Sequence, residues 1–191
     1  MPGTIKIPNP IKIEKLTLVA NIRGVDLYVH WTIFAIAALM LMSVVRRPLV
    51  TLAGLASYWS VLFIHEWGHS IAAHRRRSEV FCIKLYPIFA LTYFQTPWSR
   101  LDHCVIAWGG VVAQTVVALP LVIWVAVFGY TRFEAINAAL AILGFFSLAV
   151  AAFNLLPFPP LDGATAWGIV PSMIQQVRQR RKLPDEWKPR R

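Results

Sequence analysis

Four stretches of this chain, residues 27–45, 48–74, 104–130 and 135–156, are apolar over about the length one helix needs to cross a hydrocarbon layer, some 20 residues. A soluble chain of 191 residues would have to spread polar side chains along every helix to cover its outside, yet 57% of this one is hydrophobic and only 15% is charged. Lipid is the solvent that suits such stretches. The expectation is an all-α integral membrane protein embedded in the lipid bilayer, with about four transmembrane helices joined by short interfacial or re-entrant β-strands. The opening residues, MPGTIKIPNP, hold no apolar run ahead of a small-residue cleavage site, so the first span is expected to be retained.

The charge balance gives a direction. Nineteen Lys and Arg against nine Asp and Glu leave a formal net charge of +10. Such an excess can mark a nucleic-acid partner, but the basic residues gather beside the spans rather than on one soluble face, so no nucleic acid is expected. With both termini cytosolic, the inner side carries Lys6, Lys12, Lys15, Arg23, Arg75, Arg76, Arg77, Lys84, Arg100, Arg178, Arg180, Arg181, Lys182, Lys188, Arg190 and Arg191. Only Arg46, Arg47 and Arg132 then lie outside, a strong bias under the positive-inside rule. The expected location is a prokaryotic cell membrane. Cys82 and Cys104 are too few for a disulfide framework and read as packing residues.

Three regions follow. Residues 1–30 are expected to form an interfacial hairpin, because residues 11–19 and 25–30 alternate apolar and polar around turn chemistry at residues 21–24. Residues 31–171 form the transmembrane core. Within it, residues 79–95 are β-branched, aromatic and interrupted by Pro87, which predicts a short strand pair or re-entrant loop. Residues 172–191 form a basic cytosolic tail, with Met173, Ile174 and Val177 on one side of a short surface helix.

The chemistry concentrates at His65-Glu66-Trp67-Gly68-His69 in the second span. An ionised Glu at a bilayer centre costs about 2.5–3.5 kcal/mol even on the lenient insertion scale, so something must compensate it. Helical residues four apart share a face, about 6 Å apart along the axis, and two imidazoles so placed can converge on one metal. Glu66 then reaches a water on that metal without ligating it, the spacing used by zinc hydrolases. A chance bracketing of one Glu by two His is the bland account. It is a poor one in a span otherwise apolar over residues 48–64, in a chain with five His and five Glu.

A catalytic zinc site needs a third protein ligand and an open position. Asp162 is the candidate, since Pro157, Pro159 and Pro160 end the fourth helix and force an extended segment, and Gly163 permits close approach. Taken alone, Asp162 would read as a helix N-cap. Topology favours the metal: even-numbered spans run in the same direction, so His69 and Asp162 both lie toward the cytosolic side. His69 precedes Arg75 by six residues, roughly 9 Å of helix. The expected site is one Zn²⁺ per chain on His65, His69 and Asp162, with Glu66 as general base.

The pair His65-Glu66-x-x-His69 and Asn154-x-x-Pro157-x-Pro159-x-x-Asp162-Gly163, on two separate spans, resembles the site-2 protease family of intramembrane zinc metalloproteases. The resemblance runs from Val29-His30-Trp31 to Asp162. It implies that His65, His69 and Asp162 bind zinc, that Glu66 is the general base and that Asn154 helps position the substrate backbone. It implies a transmembrane protein as substrate, which could add as an extended strand to the N-terminal hairpin or to residues 79–95. Family members often carry Gly-Pro and a nearby Asn in the third span, where this chain has Gly109-Gly110 and Gln114. No PDZ or CBS domain is recognisable, so a minimal core is expected, with a membrane-protein complex or homo-oligomer as further partner.

Other residues carry less. Ser70 and His74 are candidates to line a polar channel, His30 and His103 read as interfacial, and Asp102 as the end of a polar loop. Trp31, Trp98, Trp108 and Trp187 read as anchors and packing residues. Pro120 is either a kink or a tolerated transmembrane proline. Two further classes stay open: a non-catalytic subunit of a larger membrane complex, against which an intact Glu66 argues, and a metal transporter, which would need polar residues through both halves of spans two and four.

Overall fold

The computed structural model describes residues 16–41, 47–87 and 89–182. Three of its helices are long and apolar enough to cross a membrane: α2 (Pro48–Arg75), α3 (Arg100–Phe128) and α4 (Glu134–Asn154). The expected first span differs. Its first residues belong to strand β2 (Val25–His30), which pairs with β1 (Leu16–Ile22), and the helix α1 (Thr32–Leu41) is described for ten residues. That is about 15 Å of helix, half a hydrocarbon layer. Residues 42–46, which include the end of that expected span at 45, lie outside the described residues, as do 1–15 and 183–191, and with them the start of the expected hairpin and the end of the tail. Of the four expected spans, three are helices of spanning length among the described residues.

The reason is a change of period. Leu27 and Val29 are apolar, so a hydropathy window counts them toward a span, but they alternate with Tyr28 and His30 in the two-residue rhythm of a strand. The β1–β2 turn has positive φ at both Arg23 and Gly24, the conformation of a two-residue type I′ hairpin. Asn21 supports it, accepting from Gly24 N at 3.1 Å and donating to Asp26 at 2.7 Å.

Residues 79–95 form a strand pair, β3 (Val80–Leu85) and β4 (Ala90–Phe94). This pair joins the hairpin in one four-stranded sheet of order β1-β2-β3-β4, in which β2 and β3 run parallel and Asp26 pairs with Cys82. Val29, Ile33, Ile83 and Leu85 make a buried cluster, with Trp59 and Trp67 of α2 packed against it, so one sheet face rests on the helix that carries the histidines. Tyr58 of α2 donates to the carbonyl of Pro87 and ties down the β3–β4 connection.

The helices start and stop for local reasons. Helix α3 begins four residues before the expected span because Ser99 caps it, accepting from Asp102 N at 3.0 Å. Asp102 accordingly lies in the first helical turn rather than ending a loop. Helix α2 closes with Arg77 at φ 58, Ser78 N bonded to Ala73 O and Arg77 N to His74 O, the paired bonds of a Schellman ending. Helix α4 is π-helical over Ala141–Phe146, where Gly144 packs against Leu121 and Val122 of α3. Beyond it come α5 (Gly163–Ala166) and α6 (Ile169–Lys182).

Candidate metal centre

Helices α2 and α3 cross at Gly68 and Gly109. A Cβ on Gly68 would lie 2.4 Å from Gly109 O, and one on Gly109 would lie 2.5 Å from Gly68 O, so the backbones touch where any side chain would hold them apart. That approach sets the adjacent face of α3 against the imidazoles. A Cβ on Gly110 would lie 2.6 Å from His69 Nε2 and 2.7 Å from His65 Cε1. The rings occupy the space that this glycine leaves.

Both rings are oriented by acceptors. His69 Nδ1 donates to Ile106 O at 2.8 Å and His65 Nδ1 to Gln114 Oε1 at 2.9 Å. Their protons are thereby placed on Nδ1, and each Nε2 presents a lone pair. The two Nε2 atoms lie 3.1 Å apart, and Asp162 Oδ2 lies 2.9 Å from that of His65 and 3.2 Å from that of His69. Three acceptors thus face one point with no proton among them, and Asp162 Oδ2 is buried without a hydrogen-bond donor. Such a set fits a cation, and two imidazoles with one carboxylate match the three-ligand sites of catalytic zinc.

Asp162 does stand at the N-cap position of α5, but its side chain makes no capping bond there; it turns to the histidines instead. The segment is clamped from two sides. Trp108 of α3 donates to Ala166 O at 3.0 Å and Trp167 donates to Leu155 O at 2.6 Å, with the two indoles edge to face. Gly163 is indispensable to the fold-back, since a Cβ there would lie 2.3 Å from Leu155 O.

Glu66 is buried beside the ligands and accepts from Thr92 Oγ1 of β4 at 2.6 Å. It lines a cavity of about 760 Å³ together with His65, His69, Asp162, Asn154 and Gln114. Every residue expected at the site meets in that cavity. Thr92 and Gln114 were not among the expected site residues; Gln114 stands where the family often carries Asn, whereas Thr92 belongs to no motif and only contact across the fold reveals it. His103, read as interfacial, also lines the cavity, edge to face with Phe94. Ser70 and His74 do not line it: the Ser70 hydroxyl bonds Glu66 O within its own helix, and His74 is exposed. Burial raises the pKa of the half-buried Cys82, so no reactive thiolate is offered.

Residues 131–187, which include Asn154 and Asp162, match the model of Peptidase family M50. The chain is 28% identical over 178 residues to a Synechocystis sp. protein whose name describes it as a zinc metalloprotease. That alignment covers 83% of this chain, and the chain spans 44% of the relative's length. The fold is similar to that of the site-2 protease from Methanocaldococcus jannaschii, with a TM-score of 0.65 and 20% identity over 83% of this chain and 72% of that one.

Proposed function

From the support that these three matches give to one family, the site-2 proteases, with zinc as the metal the family implies, we propose that this chain is an intramembrane metalloendopeptidase. Its substrates are peptide bonds within or next to transmembrane segments of membrane proteins. The observation that carries this reading is the convergence of the His65, His69 and Asp162 acceptors beside a buried Glu66, in a cavity among helices long enough to cross a bilayer.

His65, His69 and Asp162 would hold the zinc, which would supply a Lewis acid for the scissile carbonyl and an acidified water. Glu66 takes the proton of the attacking water on its carboxylate and passes it to the leaving amine. The Thr92 hydroxyl holds Oε2 of Glu66, leaving Oε1 for that exchange. Asn154, at the end of α4 on the cavity wall, positions the substrate backbone. Strand β4 ends the sheet order, so among the described residues its outer edge is open, and Ala90, Leu91, Thr92 and Phe94 line the cavity. A substrate segment unwound from its helix adds there as a further strand. Both termini face the cytosol of a prokaryotic cell.

Glu66→Gln tests the assignment because it removes the proton acceptor and leaves the three ligands in place. Zinc content should match wild type while cleavage of a co-expressed transmembrane substrate falls by about 10²–10⁴-fold. A variant that cleaves as fast as wild type excludes Glu66 as the base. If neither form cleaves and Glu66→Gln still supports the cellular role, a non-catalytic subunit replaces the protease.

A further inference from the structure

The two imidazoles are oriented by different kinds of acceptor. Opposite His69 Nδ1 stands the carbonyl of Ile106, a group that can only accept. Opposite His65 Nδ1 stands the side-chain amide of Gln114, which can offer its oxygen or, after a half-turn of the terminal torsion, its NH₂. With the oxygen facing the ring, the His65 proton sits on Nδ1 and Nε2 is free to ligate. With the NH₂ facing it, Nδ1 must accept, the proton moves to Nε2, and a ligand of the metal is lost.

Among the described residues nothing else holds that amide. Gln114 is fully buried, and its Nε2 has no hydrogen-bond partner, so no bond on its far side opposes the half-turn. Its placement is specific to the ring. Gln114 lies one helical turn beyond Gly110, on the face of α3 against which both imidazoles rest.

We propose that Gln114 is a positioning residue that sets the tautomer of His65, and through it the strength with which the site holds its metal. This rests on the metalloprotease reading above. A backbone carbonyl makes the His69 arm permanently ready, whereas the amide makes the His65 arm reversible.

The test measures zinc affinity by chelator competition on the full-length protein in detergent, with Gln114→Met and Gln114→Glu beside wild type. Met keeps the length of the side chain and removes the acceptor, so zinc binding should weaken about 10–100-fold, the range typical of losing a group that orients a metal-bound histidine. Glu accepts and cannot present NH₂, so Gln114→Glu should bind zinc at least as tightly as wild type. Equal affinity in Gln114→Met overturns the proposal. So does an equal loss in both variants, which marks a packing residue. Failure to bind zinc in wild type overturns the metalloprotease reading along with this one, whereas intact zinc binding and cleavage in wild type and Gln114→Met alike overturn this one alone.

Discussion

Asp162 Oδ2 and the Nε2 atoms of His65 and His69 form a triangle 2.9–3.2 Å on its edges with no proton to share, since both ring protons are used on the opposite side. Lone pairs pressed together in a buried place repel one another unless a cation joins them. Purified protein should carry close to one zinc per chain, and Asp162→Ala or His69→Ala should lower that occupancy sharply in metal analysis, because each removes one of three ligands. Full occupancy in Asp162→Ala would take that residue out of the site. Gly110→Ala probes the same centre without touching a ligand. Its Cβ would lie 2.6 Å from His69 Nε2, so the rings must turn, and zinc occupancy should fall although all three ligands remain.

At the scale of elements, the α2–α3 contact decides whether the ligands can meet an orienting surface at all. Gly68→Ala drives a Cβ to 2.4 Å from a backbone oxygen, which cannot swing away as a flexible side chain would, so the helices must separate. The expected cost is about 1–3 kcal/mol, read as a lower unfolding temperature in detergent, together with weaker zinc binding because Ile106 and Gln114 recede with α3. Wild-type stability in Gly68→Ala would mean that the two backbones are not in contact. The sheet contributes a second tie between elements, Thr92 of β4 holding Glu66 of α2, which links the open strand edge to the proposed base.

For the whole molecule, two Arg–carboxylate pairs among the described residues sit at opposite ends of α2. Arg76, which caps the C-terminal end of α2, pairs with Asp102 of α3 at 3.2 Å, on the end nearer the metal ligands, and Arg47, at the N-cap of α2, pairs with Glu134 of α4 at 2.7 Å on the other. Exposed pairs of this kind add little stability, roughly 0–1 kcal/mol, but they identify the two ends. Cysteine labelling of intact cells, on a background without Cys82 and Cys104, should find positions near Arg76 and Arg180 shielded from an impermeant reagent. Positions near Arg46 and Arg132 should be accessible. The reverse pattern would invert the topology and move the metal toward the other leaflet.

Much of this was legible in the chain itself, because it is local. Hydropathy over some 20 residues marks the spans of α2, α3 and α4, the four-residue spacing of His65 and His69 puts both on one helix face, and the prolines before Asp162 end a helix where they stand. Local reading counted Leu27 and Val29 twice, toward a span by hydropathy and toward a hairpin strand by their two-residue period, and the strand is what forms. What only the tertiary structure decided depends on packing between segments far apart in sequence. The side chain of Asp162 could serve a cap or a metal equally well, and its course to the histidines is set by the Trp108 and Trp167 clamps and the close approach at Gly163. The sequence marks Gly110 and Gln114 only as departures from the family's pattern and Thr92 not at all, because an absent Cβ, an amide and a hydroxyl acquire a role only from what stands opposite them: two imidazole rings, one ring proton and one carboxylate.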